Sequence, residues 1–445
     1  MRRAATFLLL ALVACTATGG TLRIHHHTRP SAPTPSAPTP SASSPSTRHE
    51  ARTPLITGSA AEAMQRLCTI PPRHKPKVRR VRHVPPIVSE TEHEVESVRG
   101  LRYLHPVAVD AETHTRLVRG VNREFEHSLP QGHAARQTLA LQTVGALPRE
   151  TTLRRAVHRF LSTQIIGYYD TDSKQLVYMG THSPTPKQRY ILAHELTHAL
   201  DDQHFDLSRL DPLTDQCRNE ELQAATGVVE GSAVNFSQAV VYQFFSPDVQ
   251  PAAFSRSGSG PTGIPPFTLN MNNWPYIAGP QFIRALYYRG GLRLVNRALR
   301  HWPVTTEQVI HPDRYPRDRP TPLGIPQLAP KLGKGWRDLD VEEVGEEWLT
   351  VWLGLRLDST EASAAADGWD GGLFRAWRNG GHVAVVMRTA WDRSHGAEGF
   401  VHAVRDWVEP HEHVKVRWTG NRRVNVLFAT DGATLRVLQR ASRPG

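Results

Sequence analysis

The sequence of 445 residues contains only three cysteines, Cys15, Cys68 and Cys217, and its N-terminal apolar run is too short to span a bilayer. That run, residues 4–14, has roughly half the length that a membrane helix needs. The net charge is +11, but no nucleic-acid recognition motif accompanies the basic stretch 73–82. We therefore expect no nucleic-acid partner. A solvated patch, or one attracted to anionic lipid and envelope polymers, explains this stretch better.

The N-terminus has the pattern of a secretory signal. Positively charged residues 1–3 precede the apolar run, and Leu12-Val13-Ala14-Cys15 resembles a bacterial lipobox, in which cleavage precedes a cysteine that is then lipidated. We expect a signal peptide at 1–14 and a protein anchored outside the cytoplasm, on the cell membrane, through Cys15. A plain signal peptide and a secreted protein are the alternative.

Residues 30–45 repeat Ser-Ala-Pro-Thr-Pro and lack the apolar side chains of a core, so residues 15–60 are interpreted as a disordered, extended tether. With Cys15 assigned to a lipid, Cys68 and Cys217 can form one disulfide in an oxidising compartment. Two unpaired thiols are the alternative.

The most informative motif is His194-Glu195-Leu196-Thr197-His198. On a helix, residues four apart lie one turn apart, so His194 and His198 can direct two imidazoles at one Zn²⁺ ion. Glu195 then lies where it can take a proton from water activated by the metal. Thr185 and Gln188 form a capping-box pattern with proline between them, which predicts that a helix starts here.

A catalytic zinc site needs a third protein ligand, which the next predicted helix, 218–245, can supply. Glu221 and Glu230 are nine residues apart and face opposite sides of that helix. Glu230 shares its side with the apolar residues that must face a neighbouring helix, so Glu230 is predicted as the ligand. Glu221 and Asp202 are the alternatives.

Three more polar residues are candidates for supporting roles. Asp202 lies four residues after His198 and is predicted to hydrogen-bond a ligand imidazole. His311 and Tyr315 follow a second capping pattern at 305–308 and are candidate donors to the oxyanion of a hydrolytic intermediate. A structural turn is the alternative for this segment.

The predicted fold class is α+β: a zincin-like domain at 161–350, with a β-hairpin, the histidine helix and the Glu230 helix, and a smaller α+β lobe at 351–445. Residues 61–160 are interpreted as a basic segment and helical lead-in that carries a strand at 101–109. Further predictions are a hairpin at 164–170 and 175–179, an irregular loop at 246–273 and a helix at 280–300. A helix at 341–357 is predicted to expose Glu342, Glu343, Glu346 and Glu347 to solvent. The lobe is predicted to contain strands at 374–377, 382–390, 414–418, 423–428 and 435–438, and a helix at 394–408.

Residues 194–199 together with Glu230 in Val-Glu-Gly-Ser-Ala resemble the gluzincin zinc metallopeptidases, and more closely a set of bacterial envelope zincins. The shared segments are the Gly-Tyr-Tyr-Asp hairpin at 167–170, the histidine motif through Gln203, the Thr-Glu-Gln…His-Pro-x-x-Tyr segment at 306–315, and the pairs 368–369 and 391–392. Ser232 departs from the pattern, which has aspartate there. The resemblance implies an α+β zincin fold, a Zn²⁺ cofactor and hydrolysis of peptide bonds.

Two function classes follow from these motifs. The first is a membrane-anchored zinc metallopeptidase that acts on peptide or protein substrates of the cell envelope, with Glu195 as the base. The second is a non-catalytic envelope module whose metal is structural; an intact Glu195 argues against it. A weaker third interpretation is a binding protein for anionic wall polymers.

Overall fold

The computed structural model describes residues 54–68, 77–128, 132–180, 183–255, 263–420 and 422–443. The predicted signal peptide, Cys15, most of the predicted tether and part of the basic stretch lie outside these residues. Within them, no helix combines the length and the apolar character needed to cross a membrane.

Helices predominate in the first half of the chain, and most of the strands lie in the second half. The first half contains, in order, α1 (Gly58–Leu67), α2 (Pro86–Arg99), β1 (Ala108–Glu112), α3 (His114–Ser128), α4 (His133–Thr143), α5 (Leu153–Gln164), β2 (Gly167–Asp170), β3 (Gln175–Met179), α6 (Pro186–Phe205), a 3₁₀ turn (Leu207–Leu210), α7 (Asp211–Asp215) and α8 (Asn219–Phe244). The second half contains α9 (Gln250–Ala253), α10 (Pro266–Arg300), α11 (Thr306–Ile310), α12 (Ala329–Leu332), β4 (Arg337–Glu343), α13 (Glu346–Leu353), α14 (Ser359–Ala366), β5 (Trp369–Asn379), β6 (His382–Trp391), α15 (Ser394–Trp407), β7 (Val414–Trp418), β8 (Arg423–Ala429) and α16 (Gly432–Ala441).

The predicted hairpin is present as β2 and β3, which pair antiparallel. Strand β1 joins them in parallel on the other edge of β3, so the sheet order is β1-β3-β2. The strand predicted at 101–109 therefore lies later, at Ala108–Glu112, and α3 starts at His114 directly after it. Helix α2 was not predicted, because its buried face includes the charged residues Glu92, Glu94 and Arg99, which interrupt the apolar helical period.

Three long helices, α6, α8 and α10, form the layer beside this sheet. The predicted capping box starts α6: the Thr185 hydroxyl accepts from the Gln188 backbone, and the Gln188 side chain accepts from the Thr185 backbone. Helices α8 and α10 touch through glycines, since a Cβ on Gly231 would lie 2.3 Å from the Gly279 carbonyl oxygen. The loop predicted at 246–273 is wrong in part, because α10 already starts at Pro266. Helix α10 has a kink at Gly290 and Gly291.

The C-terminal lobe contains a five-stranded antiparallel sheet in the order β4-β5-β6-β8-β7. It starts at Arg337, before the boundary predicted at 351, because β4 pairs with β5. Four predicted strands and the helix α15 are confirmed. Residues 435–438 belong instead to α16, which Asp431 caps by accepting from the Thr434 backbone; a short apolar run alone does not distinguish strand from helix.

Residues at both ends of the described chain pack together. Leu55 and Ile56 are buried against this lobe, and Ile56 forms a parallel bridge with Leu323, so ordered structure starts before the predicted end of the tether at 60. The predicted disulfide is present: Cys68 and Cys217 are bonded, with their Cα atoms 5.9 Å apart. It ties the end of α1 to the turn between α7 and α8.

Candidate metal centre

The two histidines of α6 face each other. Their Nε2 atoms are 3.0 Å apart, and neither side chain has any exposed surface. The rings are nearly perpendicular, with centroids 4.6 Å apart. The four-residue spacing thus places both imidazoles on one buried face of the helix.

Glu230 on α8 completes the group, as the helical angle predicted. Its Oε2 atom lies 3.2 Å from His194 Nε2 and 3.4 Å from His198 Nε2. The alternative ligand Glu221 instead pairs with Arg218 one turn earlier on the same helix. The closely packed glycines Gly231 and Gly279 position α8 against α10 on one side of this residue.

The three atoms fit a single metal ion. Zinc bonds of 2.0–2.2 Å in a tetrahedral arrangement place ligand atoms about 3.4 Å apart, close to the 3.0, 3.2 and 3.4 Å observed. Glu230 Oε2 is buried and has no hydrogen-bond partner in the described chain. A buried carboxylate oxygen without a partner is costly, and a cation would remove that cost.

The protonation states also suit a cation. Burial lowers the pKa of His194 to about 4, so its imidazole is neutral near pH 7, the form that binds metals. Burial alone would raise the pKa of Glu230, but the His198 and His194 imidazoles lower it overall, which keeps the carboxylate charged.

His194, His198 and Glu230 are together called the metal-type group below. Glu195 lies between this group and the hairpin. A Cβ on Gly167 of β2 would lie 3.2 Å from Glu195 Oε1, so the glycine leaves room for this carboxylate. Burial, and then the charge of Glu230, raise the pKa of Glu195 well above its usual value. Both Glu195 oxygens are buried without a hydrogen-bond partner in the described chain. They are the acceptors that a proton-transfer role requires.

Tyr276 on α10 was not predicted as a site residue from the sequence. Its hydroxyl donates to Glu230 Oε1 at 2.9 Å, and its ring is stacked on His194 with centroids 6.4 Å apart. The hydroxyl thereby orients the carboxylate so that Oε2 faces the histidines. No sequence motif includes this residue. It lies between the loop predicted at 246–273 and the helix predicted at 280–300, so no helical face was assigned to it.

The prediction for Asp202 is wrong. Its Oδ2 accepts from the Tyr169 hydroxyl at 2.8 Å and from Lys174 Nζ at 2.7 Å, and its Oδ1 accepts from the Leu207 backbone. These partners tie the end of α6 to the hairpin and leave the imidazoles without this carboxylate. In the part of the chain that the structure describes, neither histidine Nδ1 has a hydrogen-bond partner.

The neighbouring Asp201, rather than Asp202, links the helices that carry the histidines and Glu230. It accepts from Ser232 Oγ at 2.6 Å and pairs with the buried Arg99 Nε at 2.8 Å. Ser232, which stands where the resembled zincin pattern has aspartate, thus makes a bond between α8 and α6. An aspartate at 232 would face Asp201 with a second negative charge.

Tyr315 and His311 are not beside the metal-type group in the contacts that the structure shows. The Tyr315 hydroxyl donates to the His301 carbonyl at 2.6 Å, and its ring packs on Phe282. His311 Nε2 lies 2.9 Å from Glu346 Oε1 and 3.5 Å from Asp367 Oδ1. The structure therefore supports the structural turn, the alternative for this segment.

His311, Glu346 and Asp367 form a second group whose ligand-type atoms all lie within 4.8 Å of one another. Hydrogen bonding to Glu346 raises the pKa of His311. A charged imidazolium paired with a carboxylate accounts for this contact, so the first group is the stronger metal candidate.

The acidic residues at 342–347 are buried, although the sequence predicted them to face solvent. Glu342 and Glu343 end strand β4, and Glu346 and Glu347 start α13, with exposures of 8, 5, 3 and 1% respectively. The predicted single helix is interrupted by Val344 and Gly345, and this break turns all four carboxylates inward.

One family model matches the chain: a domain of unknown function, DUF8575, over residues 334–443. The match coincides with the C-terminal lobe and leaves the metal-type group outside it. No curated protein and no solved structure matches the chain.

Proposed function

We propose that this chain is an extracytoplasmic zinc metallopeptidase. The observation that carries the proposal is the convergence of His194, His198 and Glu230 on one point, with the partnerless carboxylate of Glu195 beside it. A zinc ion held by these three side chains would supply Lewis acidity that polarises water and the peptide carbonyl.

The chain's own residues would perform the proton transfers. Glu195 takes a proton from the attacking water and later delivers it to the nitrogen of the leaving amine. Tyr276 holds Glu230 by its hydroxyl, and Asp201 holds the two helices through Ser232. A peptide or protein of the cell envelope is the proposed substrate, and the Cys15 lipid is the proposed anchor.

One observation favours a second candidate, a non-catalytic envelope protein with a structural metal. His194, Glu195, His198 and Glu230 all have 0% exposed surface, which suits a structural site. Hydrolysis requires that the residues covering them move to admit a peptide. Against the second candidate, a structural site has no use for Glu195.

Metal analysis and digestion of a peptide library by wild type and Glu195→Gln separate the two candidates. The peptidase proposal predicts about one zinc per chain in both proteins and a loss of cleavage rate on the order of 10²–10⁴-fold in the variant. The exposed Glu398→Gln serves as the matched control with unchanged cleavage. A zinc-loaded wild type that cleaves no peptide favours the structural role.

A further inference from the structure

A cavity of about 400 Å³ lies along the N-terminal half of α8, between α10, β4 and α13. Tyr276, whose hydroxyl is bonded to Glu230, is one of its lining residues. Thr226 also lines it, one helical turn before Glu230. The cavity thus adjoins the proposed metal centre, with the Tyr276 side chain in contact with both.

The cavity is lined by both apolar and acidic side chains. Apolar side chains, among them Phe160, Leu222, Phe267 and Met271, form much of the wall. Four carboxylates also line the cavity: Glu220, Glu342, Glu343 and Glu347. Such a combination suits a ligand with an aliphatic stem and a cationic end.

The four carboxylates bond only neutral donors in the described chain. Glu220 accepts from Thr306 and Glu347 accepts from Gln223 Nε2 at 2.9 Å. Glu343 accepts from the Glu220 backbone at 2.9 Å.

Glu342 likewise accepts from two amide side chains, Gln137 and Asn219. A carboxylate has about four acceptor positions, so each of the four retains capacity for a further donor. Arg218 acts on Glu343, but no cation is hydrogen-bonded to any of the four in the described chain. Clustered buried carboxylates are costly, and a cationic ligand would reduce this cost. Burial raises the pKa of Glu220 and Glu342 to about 7 and that of Glu343 to about 8, and the charge of Arg218 only partly offsets the effect at Glu343.

Two further polar groups on the lining point to a ligand. Thr268 Oγ1 and Trp348 Nε1 have no hydrogen-bond partner in the described residues, and both side chains are more than nine-tenths buried. A hydroxyl that can accept and an indole N–H that can donate match the groups of a peptide, whose cationic end donates and whose carbonyls accept.

The spread of the carboxylates disfavours a metal ion as the occupant. Two groups in the described chain bring three ligand-type atoms within 4.8 Å of one another, and neither contains any of these four residues.

The carboxylates lie within reach of a peptide bound at the proposed metal centre. Gln223, which hydrogen-bonds Glu347, precedes Glu230 by seven residues, or about 10 Å along the helix. A peptide residue near the scissile bond spans roughly 3.5 Å, and a long side chain extends the reach further.

We propose that this cavity binds the lysine or arginine side chain of a peptide substrate, and so directs the metal centre to basic sequences. This inference rests on the proposed peptidase function. The apolar wall holds the methylene groups, and Glu347 and Glu220 bind the cationic end. The pocket is a specificity determinant, while Glu195 remains the group that transfers protons.

The test uses the Glu195→Gln full-length protein, loaded with zinc, as a non-cleaving binder. Fluorescence anisotropy compares labelled peptides that are identical except for one central lysine, norleucine or glutamate. Norleucine keeps the aliphatic stem and lacks the charge. The lysine peptide is expected to bind at least tenfold more tightly than the norleucine peptide.

Adding Glu347→Gln is expected to reduce this preference to less than about threefold, whereas Glu398→Gln leaves it intact. Thr226→Lys, which supplies a tethered cation from the cavity wall, is a second variant that should abolish the preference without removing a carboxylate. Circular dichroism checks that each variant is folded. Equal affinity for lysine and norleucine peptides, or a preference that survives both Glu347→Gln and Thr226→Lys, overturns the pocket.

Cleavage by the wild type separates this inference from the function on which it rests. Enrichment of lysine or arginine near the cut bond supports both. Cleavage without that enrichment overturns the pocket alone. A lysine preference in binding by a wild type that cuts nothing overturns the peptidase and leaves the pocket.

Discussion

The metal-type group and the C-terminal lobe both bury charged side chains, but they treat them differently. In the lobe, fully buried Arg375 bonds Asp338, the Ser59 hydroxyl and the Ile325 carbonyl. In the helix layer, Glu230 Oε2 contacts only the two histidine Nε2 atoms among the ion pairs of the described chain, and both oxygens of Glu195 are buried without a hydrogen-bond partner there.

This difference distinguishes buried polar groups that stabilise the fold from buried polar groups that are available to bind a ligand. A buried charge whose hydrogen bonds are complete stabilises one arrangement of strands and loops. Partnerless atoms that converge on a point cost free energy in the folded chain and are explained by a ligand. Substitutions in both regions test this distinction by their effects on zinc binding and on the free energy of unfolding.

His198→Ala should abolish metal binding. Loss of a direct ligand is expected to reduce zinc affinity by more than the 10–100-fold typical of a lost supporting hydrogen bond. Elemental analysis after dialysis should find about one zinc per chain in the wild type and nearly none in the variant. His204→Ala, near the end of the same helix, is the control; equal zinc in all three proteins would contradict the assignment.

Removing the disulfide should be the largest change in stability. The bond closes a loop with a sequence separation of 149 residues, and loop-closure entropy for that length corresponds to about 5 kcal/mol as an upper value. Denaturant unfolding of the double variant Cys68→Ser/Cys217→Ser measures it. A reducing agent should destabilise the wild type to the same level and leave the double variant unaffected.

Arg375→Met tests how much the fully hydrogen-bonded guanidinium of Arg375 stabilises the C-terminal lobe. It leaves Asp338 without its main partner, so we expect a loss of about 3–5 kcal/mol in the free energy of unfolding, with zinc content unchanged. Asp338 then keeps only Arg66 and Gln327, both on its Oδ2. Adding Asp338→Leu should recover part of this loss, because the carboxylate that has lost Arg375 is then removed as well. A loss below about 1 kcal/mol would mean that the network contributes little.

The acidic cavity predicts that stability falls as pH rises. The pKa of Glu343 is raised by burial from 4.5 to about 8, so the folded state retains a proton that the unfolded state releases. Its contribution is complete below about pH 4.5 and is lost as pH rises through 8, by roughly 2–4 kcal/mol. Urea unfolding at pH 5 and pH 8 measures this change.

Glu343→Gln provides the control for the pH dependence. Glutamine keeps an acceptor for the Glu220 backbone and cannot ionise, so the pH dependence should become shallower. An identical pH dependence in both proteins would show that Glu343 does not carry the effect. A cationic peptide in the cavity should also reduce the loss at pH 8.

Local sequence patterns predicted the helix layer well. The Thr185 capping box, the four-residue histidine spacing and the helical angle that chose Glu230 over Glu221 depend only on the geometry of a single helix. Strands β5, β6, β7 and β8 followed from their apolar runs for the same reason. The pairing of Cys68 with Cys217 followed from the number of cysteines.

Contacts between distant segments required the tertiary structure. Asp202 lies on the predicted face of α6, yet Tyr169 and Lys174 of the hairpin bind it; the helical period cannot indicate which neighbour is closer. Tyr276 meets Glu230 only because Gly231 and Gly279 let α8 and α10 touch.

The histidine, glutamate and cysteine groups could be predicted from residue spacing or residue number alone. That Tyr276 rather than Tyr315 bonds a proposed ligand, and that Glu342, Glu343, Glu346 and Glu347 are buried, became visible only in the folded chain. Burial depends on which other elements cover a residue, and local sequence does not contain that information. A run of charged residues is predicted to face solvent, and it is buried here because α8 and α11 pack against the ends of β4 and α13 that carry it.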